Sequence, residues 1–235
     1  MAAGVPGGTA PHVGVDDVEV PILAGDDRHH LERALRLRAG DRVSVTDGAG
    51  RWRWCRFGPE LVPDGPVEAD PPPSPPITVA FALVKGERPE LVVQKLTEVG
   101  VDRIVPFFAE RSVVRWDEAK AARHHERLVR IAREAAMQCR RTWWPEVVET
   151  TRFEVVAALP GAVAAERHGA APSLEHPVVL IGPEGGWSDE ERGRLPGLVG
   201  LGPTVLRAET AAIAAGVVLS ALRSAVVRPV SPPDA

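Results

Sequence analysis

The stretch VVLIGPEGGWSDEE, Val178 to Glu191, decides how the rest of this chain is read. Val178, Val179, Leu180 and Ile181 form an unbroken apolar run, the pattern of a parallel strand covered on both faces. Ser188, followed three residues later by Glu191, spells a capping box, so a helix begins there. Gly182 to Trp187 is therefore a strand-to-helix loop at the carboxyl end of a sheet strand, where open α/β sheets bind ligands. Gly182, Gly185 and Gly186 let backbone approach a ligand closely, and Pro183 reduces the ordering that binding requires. A tight turn with no ligand accounts for the same residues. Neither Gly-Lys-Ser/Thr nor G-x-G-x-x-G is present here, which excludes a phosphate loop and a dinucleotide fingerprint.

Working outward, ITVAFALV at 77–84 and RIVPFF at 103–108 read as further buried strands. Between them Pro89 opens a helix with Val92, Leu96 and Val99 on one face and Gly100 as its stop. A long basic helix is expected over roughly 117–140. An alanine-rich one is expected over 209–226, after a second stiff glycine turn at Gly202-Pro203. The small residues of that last helix suit either close approach of another backbone or subunit, or an ordinary core helix. Strands alternating with helices imply a mostly parallel sheet with helices on its faces, an α/β fold. The segment DPPPSPPI at 70–77 holds five prolines and reads as a stiff spacer. In front of it, DRVSVTDGAG and RWRWCRF alternate in polarity around a turn at Asp47-Gly48. Trp52 and Trp54 fall on one strand face, with Arg51, Arg53 and Cys55 on the other. With a short helix at 30–37, this part reads as a small β-barrel.

The 235 residues, 44% of them hydrophobic, fit one large domain or two modest ones. No apolar run is long enough to span a membrane, and the first residues lack a signal-peptide pattern. Cys55 and Cys139 give neither a disulfide framework nor zinc spacing, so a reducing cytoplasm is the expected location. His29-His30 and His124-His125 point in different directions within each pair and lack companions, so no metal is expected. Charge is uneven: residues 28–56 carry +5 and residues 111–141 another +5, leaving −14 for the rest of a chain whose net charge is −4. Either a polyanionic partner or two solvated faces explains such islands. Trp143-Trp144 either stacks nucleobases or packs against the long helix.

Taken together, IGPEGGWSDEE at 181–191 and LGPTVLRAETAA at 201–212 closely resemble the RsmE-type family of SPOUT RNA methyltransferases. LVKGERPELVVQKLTEVGV at 83–101, ERSVV at 110–114, AAMQCRR at 135–141, PEV at 145–147 and HHLERALRLRAGDRV at 29–43 extend the likeness to most of the chain from about Asp26 onward. The resemblance implies N3-methylation of one uridine in 16S ribosomal RNA with S-adenosyl-L-methionine (SAM) as donor. It also implies a C-terminal SPOUT domain with a deep trefoil knot, over 77–230, and an N-terminal PUA-like barrel, over 1–72. Such knots are exceptions to the usual threading rules. A homodimer formed through the knot and the small ribosomal subunit are the implied partners. A catalytically weak assembly factor of the same fold, and a knotted methyltransferase acting on another RNA, are the alternatives.

On this resemblance the cofactor would be held, mainly through backbone groups, by Ile181, Gly182, Pro183, Glu184, Gly185, Gly186, Leu201, Gly202, Leu206, Arg207, Ala208, Thr210 and Ala211. Arg207 is expected to stabilise charge on a uracil carbonyl oxygen, and Glu209, directly or through water, to accept the N3 proton. An Arg207–Glu209 pair that only fixes the loop is the alternative role. RNA contacts are expected from Arg28, from Arg33 and Arg36 on one face of the short helix, and from Arg111, Arg115, Gln138 and Arg141. The chain departs from the family pattern at Met137, where a glutamate is usual, at Trp143, where an arginine is usual, and at His12-Val13-Gly14 near the start.

Overall fold

The computed structural model describes residues 8–84, 88–112, 114 and 116–228. The chain divides into two units, one of residues 1–73 and 133–144, the other of residues 74–132 and 145–235.

The first unit contains β1 (His12–Gly14), α1 (Gly25–Arg33), β2 (Arg42–Thr46), β3 (Arg51–Arg56), β4 (Val62–Pro63) and β5 (Glu68–Ala69). Their sheet runs β1-β2-β3-β4 with β5 also on β3, and only the β1–β2 pair is parallel. The expected barrel is thus a five-stranded sheet, with no ladder between β4 and β1 among the described residues. Its core gathers Val13, Val43, Val45, Cys55, Phe57 and Leu61 under Leu31 of α1. Cys55 pairs with Val43 on the inner face, and burial pushes its thiol up to about 11, so it is inert packing. Trp52 and Trp54 sit on the opposite face of β3 and meet edge to face at 6.0 Å. The helix lies earlier than the expected 30–37: Asp26 and Asp27 favour its first turn, and Arg36 is already left-handed at φ 56°. Arg33 and Arg36 therefore do not share a helix face.

Residues 133–144 complete this unit. Trp144 donates its backbone N–H to the Gly48 carbonyl and Gly50 donates to the Thr142 carbonyl, both at 2.9 Å. A β-carbon on Gly48 would stand 2.4 Å from the Trp144 ring, and one on Gly50 2.5 Å from the Trp143 ring. The two tryptophans therefore pack on the glycine turn of the β2–β3 hairpin, with the Arg133 guanidinium 5.1 Å from the Trp144 ring centre. Met137 directs its sulfur at the Gly14 N–H at 3.2 Å.

The second unit contains β6 (Thr78–Ala82), α2 (Arg88–Glu98), β7 (Arg103–Phe108), most of α3 (Glu118–Gln138), β8 (Glu146–Val147), β9 (Thr151–Arg152), α4 (Phe153–Ala157), β10 (Ala162–Ala170), β11 (Val178–Ile181), α5 (Asp189–Gly193), β12 (Leu198–Val199) and α6 (Ala208–Arg223). All its strand pairs are parallel, in the order β12-β10-β11-β6-β7-β8, with β9 also on β7. Alternate residues feed two cores. Val79, Phe81, Val179 and Ile181 face α2, α3 and α6, while Ala80, Ala82, Val178 and Leu180 face Phe153, Val156 and Trp187. This two-sided burial is why β6 and β11 read as unbroken apolar runs. On α6 a β-carbon at Gly216 would stand 2.9 Å from both Leu96 and Val101, so its small residues are used for close packing on α2. The helix ends before the expected 226, where Arg223 turns back to the Gly100 carbonyl at 2.7 Å and to Asp102.

His12 gives the first unit a pH dependence. Its buried ring donates from Nε2 to the Arg141 carbonyl at 3.3 Å and faces the Ser44 hydroxyl at 2.9 Å through Nδ1. Burial is the main cause that lowers its pKa from 6.5 to about 4; the charge of Arg140 adds to this and the Arg141 carbonyl opposes it. A folded pKa below the unfolded one means full stability above about 6.5 and a loss as pH falls toward 4. The loss should approach about 3 kcal/mol. Urea midpoints measured from pH 7.5 down to 4.5 should fall more steeply for the wild type than for His12→Gln, and parallel slopes would exclude this histidine as the cause.

Candidate active site

The loops after β11 and β12, with residues 165–167 of β10, line a cavity of about 530 Å³. That size lies within the usual range for small-molecule sites. The loop after β11 is fixed by its own sequence. Ser188 Oγ accepts from the Glu191 N–H at 3.1 Å, and Glu191 Oε2 accepts from the Ser188 N–H at 3.0 Å, which is the expected capping box. Glu191 is buried, and its Oε1 accepts from the Glu110 N–H at 2.8 Å, so one carboxylate ties the loop after β7 to the start of α5. Trp187 is buried between Phe107, stacked at 6.2 Å, and Phe153 at 5.6 Å. Gly182 lies against the same indole, where a β-carbon would come within 2.9 Å of the ring. Gly186 turns at φ 70°, which glycine adopts without strain, and its N–H bonds the Pro183 carbonyl at 2.9 Å.

Eleven of the thirteen residues expected at the cofactor line this cavity: Ile181, Gly182, Pro183, Glu184, Gly186, Leu201, Gly202, Leu206, Arg207, Ala208 and Ala211. Gly185 and Thr210 are outside the lining, and Gly185 instead offers its carbonyl to Arg111 Nη1 at 3.3 Å. The lining also includes Ala165, Glu166 and Arg167 from β10, with Trp187, Thr204 and Val205. Sequence reasoning left the β10 contribution out because AVAAERHGA carries neither clear alternation nor a glycine turn of its own.

The charged groups separate into partnered and free. Glu209 lies outside the cavity lining, and its ion-pair partner is Arg88 at 3.7 Å; the Arg207–Glu209 pair weighed as the alternative role is not formed. Arg207 precedes α6 as its N-cap residue, is exposed, and has no side-chain partner among the described residues. Among the described residues no group of three or more His, Cys, Asp or Glu is placed to hold a metal ion. His124 stacks on Trp116 at 4.0 Å, and burial is the largest cause lowering its pKa.

The arginines of the first unit separate in the same way. Arg28 donates to the Gly58 and Pro59 carbonyls at 2.8 and 3.0 Å, Arg42 and Arg56 both reach Asp64 at 3.0 Å, and Arg51 and Arg53 reach Glu19 at 2.7 and 3.7 Å. Arg33, Arg36 and Arg38 are exposed, with guanidinium groups unpaired among the described residues. Gln138 is exposed at the end of α3, and Arg141 donates to the Trp143 carbonyl at 3.0 Å. Arg115 lies outside the described residues.

Comparison with known proteins gives this arrangement a lineage. The RNA methyltransferase domain family matches residues 71–220, and the RNA methyltransferase PUA domain family matches residues 23–57. The chain is 34% identical over 226 residues to the Ribosomal RNA small subunit methyltransferase E of Mycobacterium tuberculosis, covering 85% of this chain and 86% of that one. It belongs to the RsmE family. Another RsmE relative, from Bacillus subtilis, is 31% identical, covering 84% of this chain and 88% of its own. A Legionella pneumophila methyltransferase solved in complex with the cofactor SAM superimposes with a TM-score of 0.78 at 29% identity, over 91% of this chain and 98% of that one. Among the described residues no helix is long and apolar enough to cross a membrane.

The contact between Gly182 and Trp187 is open to a direct test. Gly182→Ala puts a methyl group 2.9 Å from the indole, and over-packing of this kind costs about 1–3 kcal/mol. The urea midpoint should drop and the tryptophan emission should shift. An unchanged midpoint would mean that the loop yields without strain.

Proposed function

We propose that this RsmE-family chain transfers a methyl group from SAM to N3 of one uridine in 16S ribosomal RNA. The observation that carries this reading is the cavity itself: two glycine turns at the ends of β11 and β12, parallel strands on either side of β10, with a guanidinium at its edge that is unpaired among the described residues. Gly182, Gly186 and Gly202 present bare backbone to the cavity, which suits a ligand rich in hydrogen-bonding groups and leaves space that side chains would fill. Leu201, Leu206 and Ala211 supply apolar surface for the remainder. When bound, SAM supplies a methyl group on a cationic sulfur, so no metal is required.

The residues of the chain then have separate tasks. Uracil N3 must lose its proton to solvent water before it attacks the methyl carbon, whose bond to sulfur breaks with the electron pair left on sulfur, and the negative charge spreads meanwhile onto the flanking carbonyl oxygens. Arg207, without a side-chain partner among the described residues, stabilises that charge. The turns after β11 and β12 hold donor and acceptor in line, a positioning effect that supplies up to ~7–11 kcal/mol. In the first unit, Arg33, Arg36 and Arg38 grip phosphate; Arg28, committed to backbone carbonyls, does not. The ribosomal substrate places the enzyme in the cytoplasm.

We also read the segment from β10 to α6 as a trefoil knot. The path supports this: β12 pairs outside β10, and at Gly169 a β-carbon would stand 2.4 Å from the Val199 backbone. The chain then returns to α6, which packs on α2 and β6. A homodimer through this region is supported by apolar side chains left exposed on the same two helices, Leu91 and Val217.

Two measurements test the reading. Purified protein with labelled SAM should methylate one uridine of 16S RNA in small subunits, located by mass spectrometry. Arg207→Ala should slow single-turnover transfer by about 10²–10³-fold; transfer to another base, or none, refutes the proposal. Separately, the salt dependence of RNA binding should flatten in Arg33→Ala/Arg36→Ala, by roughly 0.7–0.9 log units for each phosphate that the variant no longer neutralises. An unaltered slope would remove these residues from the interface.

A further inference from the structure

Arg88, at the start of α2, reaches both the glycine turn after β11 and the first turn of α6. Its Nη1 donates to Glu184 Oε1 at 2.8 Å, and its Nε lies 3.7 Å from Glu209 Oε1. Glu184 belongs to the turn after β11. Glu209 belongs to the first turn of α6, one residue after Ala208, which lines the cavity. Those two segments have different origins, because β11 and β12 are not neighbours in the sheet; β10 lies between them. Among the described residues no hydrogen bond or ion pair runs directly from residues 182–187 to residues 201–211. Arg88 is their common polar partner.

We propose that Arg88 is a positioning residue, a clasp that holds the loop after β11 and the start of α6 at the separation the cofactor requires. The two arms are unequal. The Glu184 side chain is 44% accessible, and a pair that open to water is weak. The Glu209 side chain is only 14% accessible, and its second oxygen, Oε2, is buried with no hydrogen-bond partner. A carboxylate in that position without a facing cation is unfavourable, so removal of Arg88 drives the first turn of α6 toward solvent. The movement displaces Ala208 and Arg207 with it. Arg88 and Arg207 thus divide the work expected of one arginine: Arg88 answers Glu209, and Arg207 stays free for substrate. A lysine at position 88 keeps the charge but has no fork with which to reach both carboxylates at once.

The binding half of this inference rests on the SAM reading above; the structural half does not. Hydrogen–deuterium exchange on the ligand-free protein separates them. Arg88→Met should raise exchange in 182–186 and 207–211 together, by about fivefold or more, with Arg88→Lys intermediate and the core strands unaffected. Exchange unchanged in either segment overturns the clasp. In the binding arm, Kd and KM for SAM should rise about tenfold in Arg88→Met, with kcat at saturating SAM far less affected. Arg88→Met/Glu209→Gln should be no worse than Arg88→Met alone. Effects that multiply independently would overturn the coupling. Should the wild type take up no SAM, the functional reading falls, while the exchange result still decides the clasp.

Discussion

The second unit depends on the packing of Trp187 against Gly182. One indole fills the space between the sheet and α4, touching Phe107 and Phe153, and the turn after β11 lies directly upon it. Position 182 therefore has no room for a side chain, and the loop that leaves β11 is held from beneath by an apolar anchor. Glu191 holds the same loop from its far end through three hydrogen bonds made or received at the start of α5. A turn fixed at both ends can present its backbone groups without being ordered by the ligand.

What could be read in the sequence was local. The apolar run at Val178–Ile181 and the Ser188–Glu191 box are short-range signals, and both have the structure their chemistry dictates. The short helix shifted because its start is set by Asp26 and Asp27, while the apolar spacing at 30–37 belongs partly to the turn that follows. β10 and β12 escaped notice for different reasons. β10 is rich in alanine and changes register against β12, and β12 has only two residues, fewer than any periodicity needs. Arg88 was invisible as a site residue because its partners lie about a hundred positions away, and charge pairing at that distance leaves no trace in spacing.

The basic islands show what net charge conceals. Between residues 28 and 56 a balance of +5 looks like one polyanion surface. In three dimensions Glu19 and Asp64, both outside that window, neutralise Arg51, Arg53, Arg42 and Arg56. The surplus is concentrated in Arg33, which ends α1, and in Arg36 and Arg38 beyond it, Arg36 itself being left-handed. The tryptophan pair follows the same logic. Trp143 and Trp144 have the composition of a stacking platform, but the glycine hairpin they cover uses both rings for packing.

Arg207 shows why an unpaired charge is informative only in context. An exposed arginine costs little when it lacks a partner, so its freedom alone says nothing about function. Its position says more. It is the N-cap residue of a sixteen-residue helix, where Ser, Thr, Asp or Asn is preferred and where a positive charge faces the positive end of the helix dipole. Its side chain makes no capping bond. The next turn corrects the balance with Glu209, which suits the dipole, but Arg88 already answers that carboxylate. Local energetics thus disfavour arginine at this position, and no side chain among the described residues compensates it. On the proposed function, a residue that breaks the local rule on a cavity edge, with no partner among the described residues, is compensated by what enters the cavity. An oxygen that gains negative charge during the reaction is a partner of the right sign, and it arrives only when compensation is needed.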